Sequence, residues 1–138
     1  MQKNYAVLLK ENGLKSTFQR THILENIHAL GHGSIDSIYQ KITQIHPTLS
    51  LATVYKNIVL MVEKGVLVEV PILGQKSKYE LSKKEHIHLI CTACGEVEDQ
   101  DYTEEKAKLF HQLTQKENFH LSSQQINLYG TCHLCNKI

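Results

Sequence analysis

The chain has 138 residues, with 15 Lys and Arg against 14 Asp and Glu, nine His, four Cys and no Trp. Its 41% apolar and 21% charged fractions belong to a folded soluble protein and exclude a disordered, collagenous or membrane-embedded chain. The net charge of +1 conceals an asymmetry: residues 1–84 carry 11 basic and 6 acidic side chains, residues 85–138 carry 4 and 8. A basic first part and an acidic second part imply two small domains with different partners. No apolar run approaches the roughly 20 residues of a membrane span, and Met1-Gln2-Lys3-Asn4-Tyr5 leads into no apolar signal core, so a cytoplasmic protein with no membrane partner is expected. The shorter second part would bury only a marginal core and needs a staple, and all four cysteines lie in it.

The first part reads as consecutive helices. Tyr5, Leu8, Leu9 and Asn12 form a helical stripe stopped by Gly13, and Ser16-x-x-Gln19 is a capping box for a second helix carrying Phe18, Ile23, Leu24 and Ile27. Ser34 caps a third, in which Ile35, Ile38, Tyr39, Ile42 and Ile45 recur at the helical period before Pro47. A fourth runs from Ser50 to Gly65, with Leu51, Val54, Tyr55, Ile58, Met61 and Val62 as its buried stripe. Val66 to Val70 and Lys76 to Leu81 then read as a hairpin. The short link between helices three and four is a helix-turn-helix corner, and the hairpin behind it makes a winged helix over residues 1–81.

Residues 82–85 read as a polar hinge, and residues 86–138 as an α/β domain. Its elements are strands at His86 to Cys91, Val97 to Tyr102 and Gln124 to Tyr129, with a helix from Glu104 to Glu117. The fold class is therefore α+β.

A helix set in the major groove reads base edges from its first turns, while nearby Lys and Arg neutralise phosphate. Thr53, Tyr55, Lys56 and Asn57 are the candidate readers, although Tyr55 fits either the core or the groove. Lys15, Gln19 and Arg20 are candidate backbone clamps, and Lys76 and Lys78 lie near the wing tip. Double-stranded DNA is the expected partner; a winged helix that contacts only protein is the competing reading.

Cys91-Thr-Ala-Cys94 and Cys132-His-Leu-Cys135 are two C-x-x-C knuckles. In a reducing cytoplasm they are poor disulfides, and together they offer the four thiolates of a closed structural Zn(II) site. A redox-active C-x-x-C is the weaker reading, since neither pair opens a helix in a thioredoxin-like context. His86-Ile-His88 directs two imidazoles to one face of a strand. If Cys91 opposes Glu96 across the hairpin, His88 faces Asp99, which becomes a candidate ligand by register. Imidazole with carboxylate suits Fe(II), Mn(II) or Zn(II); an H-x-H alone is equally compatible with a purely structural role. His22, His28, His111 and His120 carry no such pattern and read as surface or core residues, His46 as part of a turn, and His133 as a neighbour of the zinc thiolates.

Four stretches together resemble the ferric uptake regulator (Fur) family of metal-dependent repressors across nearly the whole chain. They are Gly31-His-Gly-Ser-Ile-Asp-Ser-Ile-Tyr39, Leu49-Ser-Leu-Ala-Thr-Val-Tyr-Lys-Asn57, His86-Ile-His-Leu-Ile-Cys-Thr-Ala-Cys-Gly95 and Leu128-Tyr-Gly-Thr-Cys132. The resemblance implies a homodimeric, non-enzymatic transcriptional repressor of a palindromic A·T-rich operator. It also implies a second domain that dimerises, and a regulatory metal held by His32, Glu80, His86, His88 and Asp99. A metal shared by both domains would fix the spacing of two reading helices in the dimer.

Asp99 resembles the peroxide-sensing PerR branch, where iron-sensing Fur proteins typically have Glu. Glu80 departs from that branch, which often has Asp there. The positions matching a further metal site of many Fur proteins are Glu85, Ile87, Lys106 and Gln124, a set that cannot bind one. The PerR resemblance implies that hydrogen peroxide oxidises a ligand histidine, His32 or His86, in an Fe(II)-dependent reaction, so that metal and DNA are released. The alternative within the family is an iron-responsive repressor. A zinc hydrolase or deaminase is disfavoured, because the chain has neither H-E-x-x-H nor H-x-E followed by P-C-x-x-C.

Overall fold

The computed structural model describes residues 4–136. The chain divides into two compact units, the first running to Ser82 and the second starting at Lys83.

The first unit contains α1 (Tyr5–Glu11), α2 (Phe18–Leu30), β1 (Gly33–Ser34), α3 (Ile35–Thr43), α4 (Leu51–Glu63), β2 (Leu67–Val70) and β3 (Lys78–Leu81). Side-chain oxygens start the helices: Asn4, Thr17, Ser34 and Ser50 each accept a hydrogen bond from the backbone N–H three residues on, which satisfies a donor the helix leaves over. Thr17, not Ser16, caps α2. That shift puts Gln19 at the second helical position and Arg20 at the third, so the predicted capping box does not form. Gly65 ends α4 with φ +79°, a left-handed conformation that glycine adopts without steric cost.

The interior is the predicted apolar stripe in large part. Leu9, Ile23, Leu24, Ile27, Ile38, Ile42, Val54, Ile58 and Met61 are fully buried, each such side chain contributing about 1.5–3 kcal/mol by leaving water. The expectation fails at the edges, beginning with Phe18, which opens α2 and is exposed. Helix α3 stops at Thr43, so Ile45 lies beyond it and is exposed. Leu51 and Tyr55 are also exposed, because Val54, Ile58 and Met61 at i, i+4 and i+7 already fill the inward face of α4. The hairpin carries an unpredicted third strand: β1 pairs antiparallel with β3, giving the sheet order β1-β3-β2.

The second unit contains β4 (His86–Cys91), β5 (Val97–Asp101), α5 (Glu104–Lys116) and β6 (Ile126–Gly130). The sheet order is β5-β4-β6, with β5 antiparallel to β4 and β6 parallel to it. Helix α5 is the crossover that a parallel neighbour requires. It starts at Thr103, whose side chain accepts from Lys106 N, with Glu104 and Glu105 in its first turn, where carboxylates favour the helix dipole.

This unit buries little. Among its described residues only Ile87, Ile90, Cys91 and Val97 are buried apolar side chains, whereas Leu109, Leu113, Phe119, Leu128 and Leu134 are more than half exposed. The architecture is α+β, a winged-helix unit followed by a small α/β unit. Among the described residues no helix is long and apolar enough to cross a membrane.

Candidate metal centres and nucleic-acid interface

The four cysteines come together at one end of the second unit. The β4–β5 turn folds the first pair: Cys91 N donates to Glu96 O at 2.9 Å and Gly95 N to Cys91 O at 2.9 Å. The second pair follows β6 and forms a similar loop, with Cys135 N on Cys132 O at 3.0 Å. Thr92 N donates to Gly130 O at 2.8 Å, joining the two knuckles. All four Sγ atoms lie within 4.8 Å of one another, and Cys94 Sγ and Cys132 Sγ are 3.8 Å apart. Sulfurs about 2.3 Å from a tetrahedral Zn(II) lie about 3.8 Å from each other, so this donor set fits zinc. Backbone N–H groups of Cys132, Cys94 and Ala93 pull the Cys91 thiol down to about 6, whereas the side chains of Cys132, Cys91 and Cys94 push Cys135 up to about 12. The first thiolate forms readily and the last is resisted by its neighbours, an imbalance that a dication removes.

The opposite end of β4 carries the histidines. His88 opposes Asp99 in the β4–β5 register, as the hairpin register predicts. His86 Nε2 and His88 Nε2 are 2.8 Å apart, and Asp99 Oδ1 is 3.6 Å from each. The other ring nitrogens decide what those atoms are. His86 Nδ1 lies 2.9 Å from the Lys84 carbonyl oxygen, and His88 Nδ1 lies 2.8 Å from Asn127 Oδ1. Both partners are acceptors, so both Nδ1 atoms donate and both Nε2 atoms of the neutral rings present lone pairs. Two lone pairs and a carboxylate oxygen converging in this way call for a cation. Donor atoms about 2.1 Å from one ion are separated by about 3.0 Å in an octahedron and about 3.4 Å in a tetrahedron, values that the observed separations bracket. Asn127 was absent from the candidates; only the parallel β4–β6 register, which pairs it with His88, reveals it.

In the first unit the β1–β3 pairing places Gly33 opposite Tyr79 and so brings the preceding His32 to the following Glu80. His32 Nε2 and Glu80 Oε2 are 2.9 Å apart. At the positions matching a further family site, Gln124 Nε2 donates to Glu85 Oε2 at 3.1 Å, Lys106 Nζ donates to Asp101 O at 3.1 Å and Ile87 is buried. A hydrogen bond occupies that position instead of a ligand set.

The winged-helix residues separate into two groups. Ala52, Thr53, Tyr55 and Lys56 are exposed on α4; Ala52, Tyr55 and Lys56 line a groove of about 570 Å³ together with Ile35, Asp36 and Tyr79. On the wing, Lys76 Nζ reaches Asp36 Oδ2 at 2.9 Å, and Lys78 opens β3. Lys15 and Gln19 are exposed at the start of α2. Arg20 and Asn57, predicted as a phosphate clamp and a base reader, are hydrogen-bonded to each other: Arg20 Nε donates to Asn57 Oδ1 at 3.0 Å and its Nη1 to Lys15 O at 2.8 Å. Asn57 Nδ2 donates to Thr53 O at 3.0 Å. This chain fixes α4 against the entry to α2. Arg20→Ala is therefore expected to lower stability by about 1–2 kcal/mol in urea unfolding, with Asn57→Ala costing less in the Arg20→Ala background than in the wild type.

A winged helix joined to a unit with thiolate and imidazole–carboxylate clusters defines a metal-responsive DNA-binding regulator. The sequence profile of the Ferric uptake regulator family matches residues 11–129, and the chain belongs to that family. It is 33% identical to the peroxide operon regulator of Bacillus subtilis, across 94% of this chain and 89% of that protein. With the ferric uptake regulation protein of Synechococcus elongatus it shares 31% identity, covering 94% of this chain and 90% of the relative. The crystal structure of the Campylobacter jejuni peroxide stress regulator superposes with a TM-score of 0.74 at 35% identity, covering 96% of this chain and all of that one. Members of the family are dimeric DNA-binding transcription regulators, not enzymes.

Proposed function

We propose that this protein is a cytoplasmic homodimeric repressor that senses hydrogen peroxide. The convergence of His86 Nε2, His88 Nε2 and Asp99 Oδ1 carries the reading. These three residues, with His32 and Glu80 from the first unit, hold Fe(II) or Mn(II), while Cys91, Cys94, Cys132 and Cys135 hold structural Zn(II). Each unit supplies part of the regulatory ligand set, so metal occupancy restricts their relative orientation and favours the dimer that spans a palindromic A·T-rich operator. Tyr55, Lys56 and Thr53 face the bases, and Lys15, Gln19, Lys76 and Lys78 face phosphate. The exposed leucines of the second unit form the dimer contact, since a unit with so few buried apolar side chains gains its remaining core from a second copy.

Fe(II), if held by these residues, would supply the redox chemistry that activates the peroxide O–O bond, with no net change in its own oxidation state. Overall the ring of His32 or His86 would give up two electrons, one peroxide oxygen adding to a ring carbon and the other leaving as water. The oxidised ring is a weaker donor, the two units separate and DNA is released. Brief peroxide treatment of the Fe(II)-loaded protein should add one oxygen mass to a peptide containing His32 or His86 and abolish operator binding, while the Mn(II)-loaded protein resists. Unmodified peptides together with retained DNA binding would contradict peroxide sensing. They would favour an iron-responsive repressor, the reading that Glu80 supports.

A further inference from the structure

Asp99 has a second oxygen, and it is already engaged. Lys83 Nζ lies 2.7 Å from Asp99 Oδ2, while Asp99 Oδ1 is the atom directed at the two histidines. The flanking charge therefore comes from the first residue of the second unit, three positions before His86 opens β4. We infer that Lys83 is a resident cation of the regulatory site, restricting Asp99 to single-oxygen ligation and lowering the affinity for the incoming metal. The inference rests on the regulatory-metal reading above.

Three contacts act on the three ligands of this unit, and they differ in sign. The Lys84 carbonyl and the Asn127 amide oxygen accept hydrogen bonds from His86 and His88, which leaves Nε2 as the metal-facing atom of each ring. Lys83 has the opposite effect. An ammonium within bonding distance of a ligand carboxylate draws charge away from it and repels a dication at close range. As an ion pair it contributes little to stability, because both side chains are partly exposed, at 47% and 29%. Its importance is to metal selection. A carboxylate confined to one oxygen contributes one donor where a chelating carboxylate would contribute two, which keeps the ligand count low and the metal exchangeable.

The test is Mn(II) affinity of the full-length zinc-loaded protein, measured by competition with a fluorescent chelator. Lys83→Met should bind Mn(II) about tenfold more tightly than the wild type in low salt, Lys83→Arg should stay within about twofold of it, and the gain in Lys83→Met should shrink as salt rises toward about 1 M. Lys84→Met removes the same charge one residue away and keeps the carbonyl that His86 uses, so it should change affinity by less than about threefold. Equal or weaker binding by Lys83→Met would overturn the inference, and so would an equal gain in Lys84→Met. If the wild type binds no Mn(II), or binds it unchanged after His88→Ala, the regulatory-metal reading fails and this inference falls with it.

Discussion

Replacing Cys91 or Cys132 with Ser, or stripping zinc with a chelator, is expected to unfold the second unit while the first keeps its helices. Residues 83–136 have four buried apolar side chains among them, far too few to offset the ordering entropy of the segment. A structural zinc site contributes about 10–16 kcal/mol to folding in small domains, more than the whole stability of many proteins. Its loss cannot be absorbed locally, because the two knuckles join β4 to β6 through Thr92 and Gly130 and so hold the parallel pair. Amide exchange is the direct measurement. Ile87 and Ile90 should lose protection in the zinc-free protein while Ile27 and Ile58 retain theirs; protected β4 amides without zinc would show that the staple is dispensable.

His88→Ala is expected to weaken Mn(II) binding by at least about 100-fold and to reduce operator affinity to that of the protein without regulatory metal. His88 is buried, with its Nε2 2.8 Å from that of His86 and its Nδ1 fixed by Asn127. Truncation thus removes one donor and leaves Asn127 Oδ1 without its partner. Zinc content should remain unchanged, since the cysteines lie at the other end of β4. Anisotropy of a labelled operator, titrated with protein in the presence of Mn(II), separates this outcome from simple misfolding. An unaltered DNA affinity would place the regulatory metal elsewhere.

Much of this fold is legible in the sequence because the helices obey the 3.6-residue period and the β4–β5 hairpin is local. The C-x-x-C spacing and the opposition of His88 to Asp99 require only a turn between Cys91 and Glu96. What escapes is non-local or slight. A two-residue strand such as β1 has no periodicity to detect, yet its pairing with β3 alone brings His32 to Glu80; the resemblance to a family, not the pattern of residues, supplied those two. The Arg20–Asn57 contact links residues 37 apart in the chain, and both look like ordinary exposed polar side chains until α2 and α4 are packed. Tyr55 is ambiguous in one dimension because aromatic residues serve cores and surfaces equally; the packed core assigns it to the surface.

Strand β4 begins with His86 and ends with Cys91, so one strand carries candidate ligands of both proposed metals, and Thr92 N on Gly130 O ties β6 to the turn that follows it. A one-residue slip of β6 would present Ile126 or Leu128 to His88 in place of Asn127, and the ring would lose the acceptor that turns its Nε2 toward the metal. On the proposed reading, zinc binding is therefore expected to precede binding of the regulatory metal. Under the proposed metal assignment, a chain that has not yet acquired zinc lacks the register that the sensing metal requires.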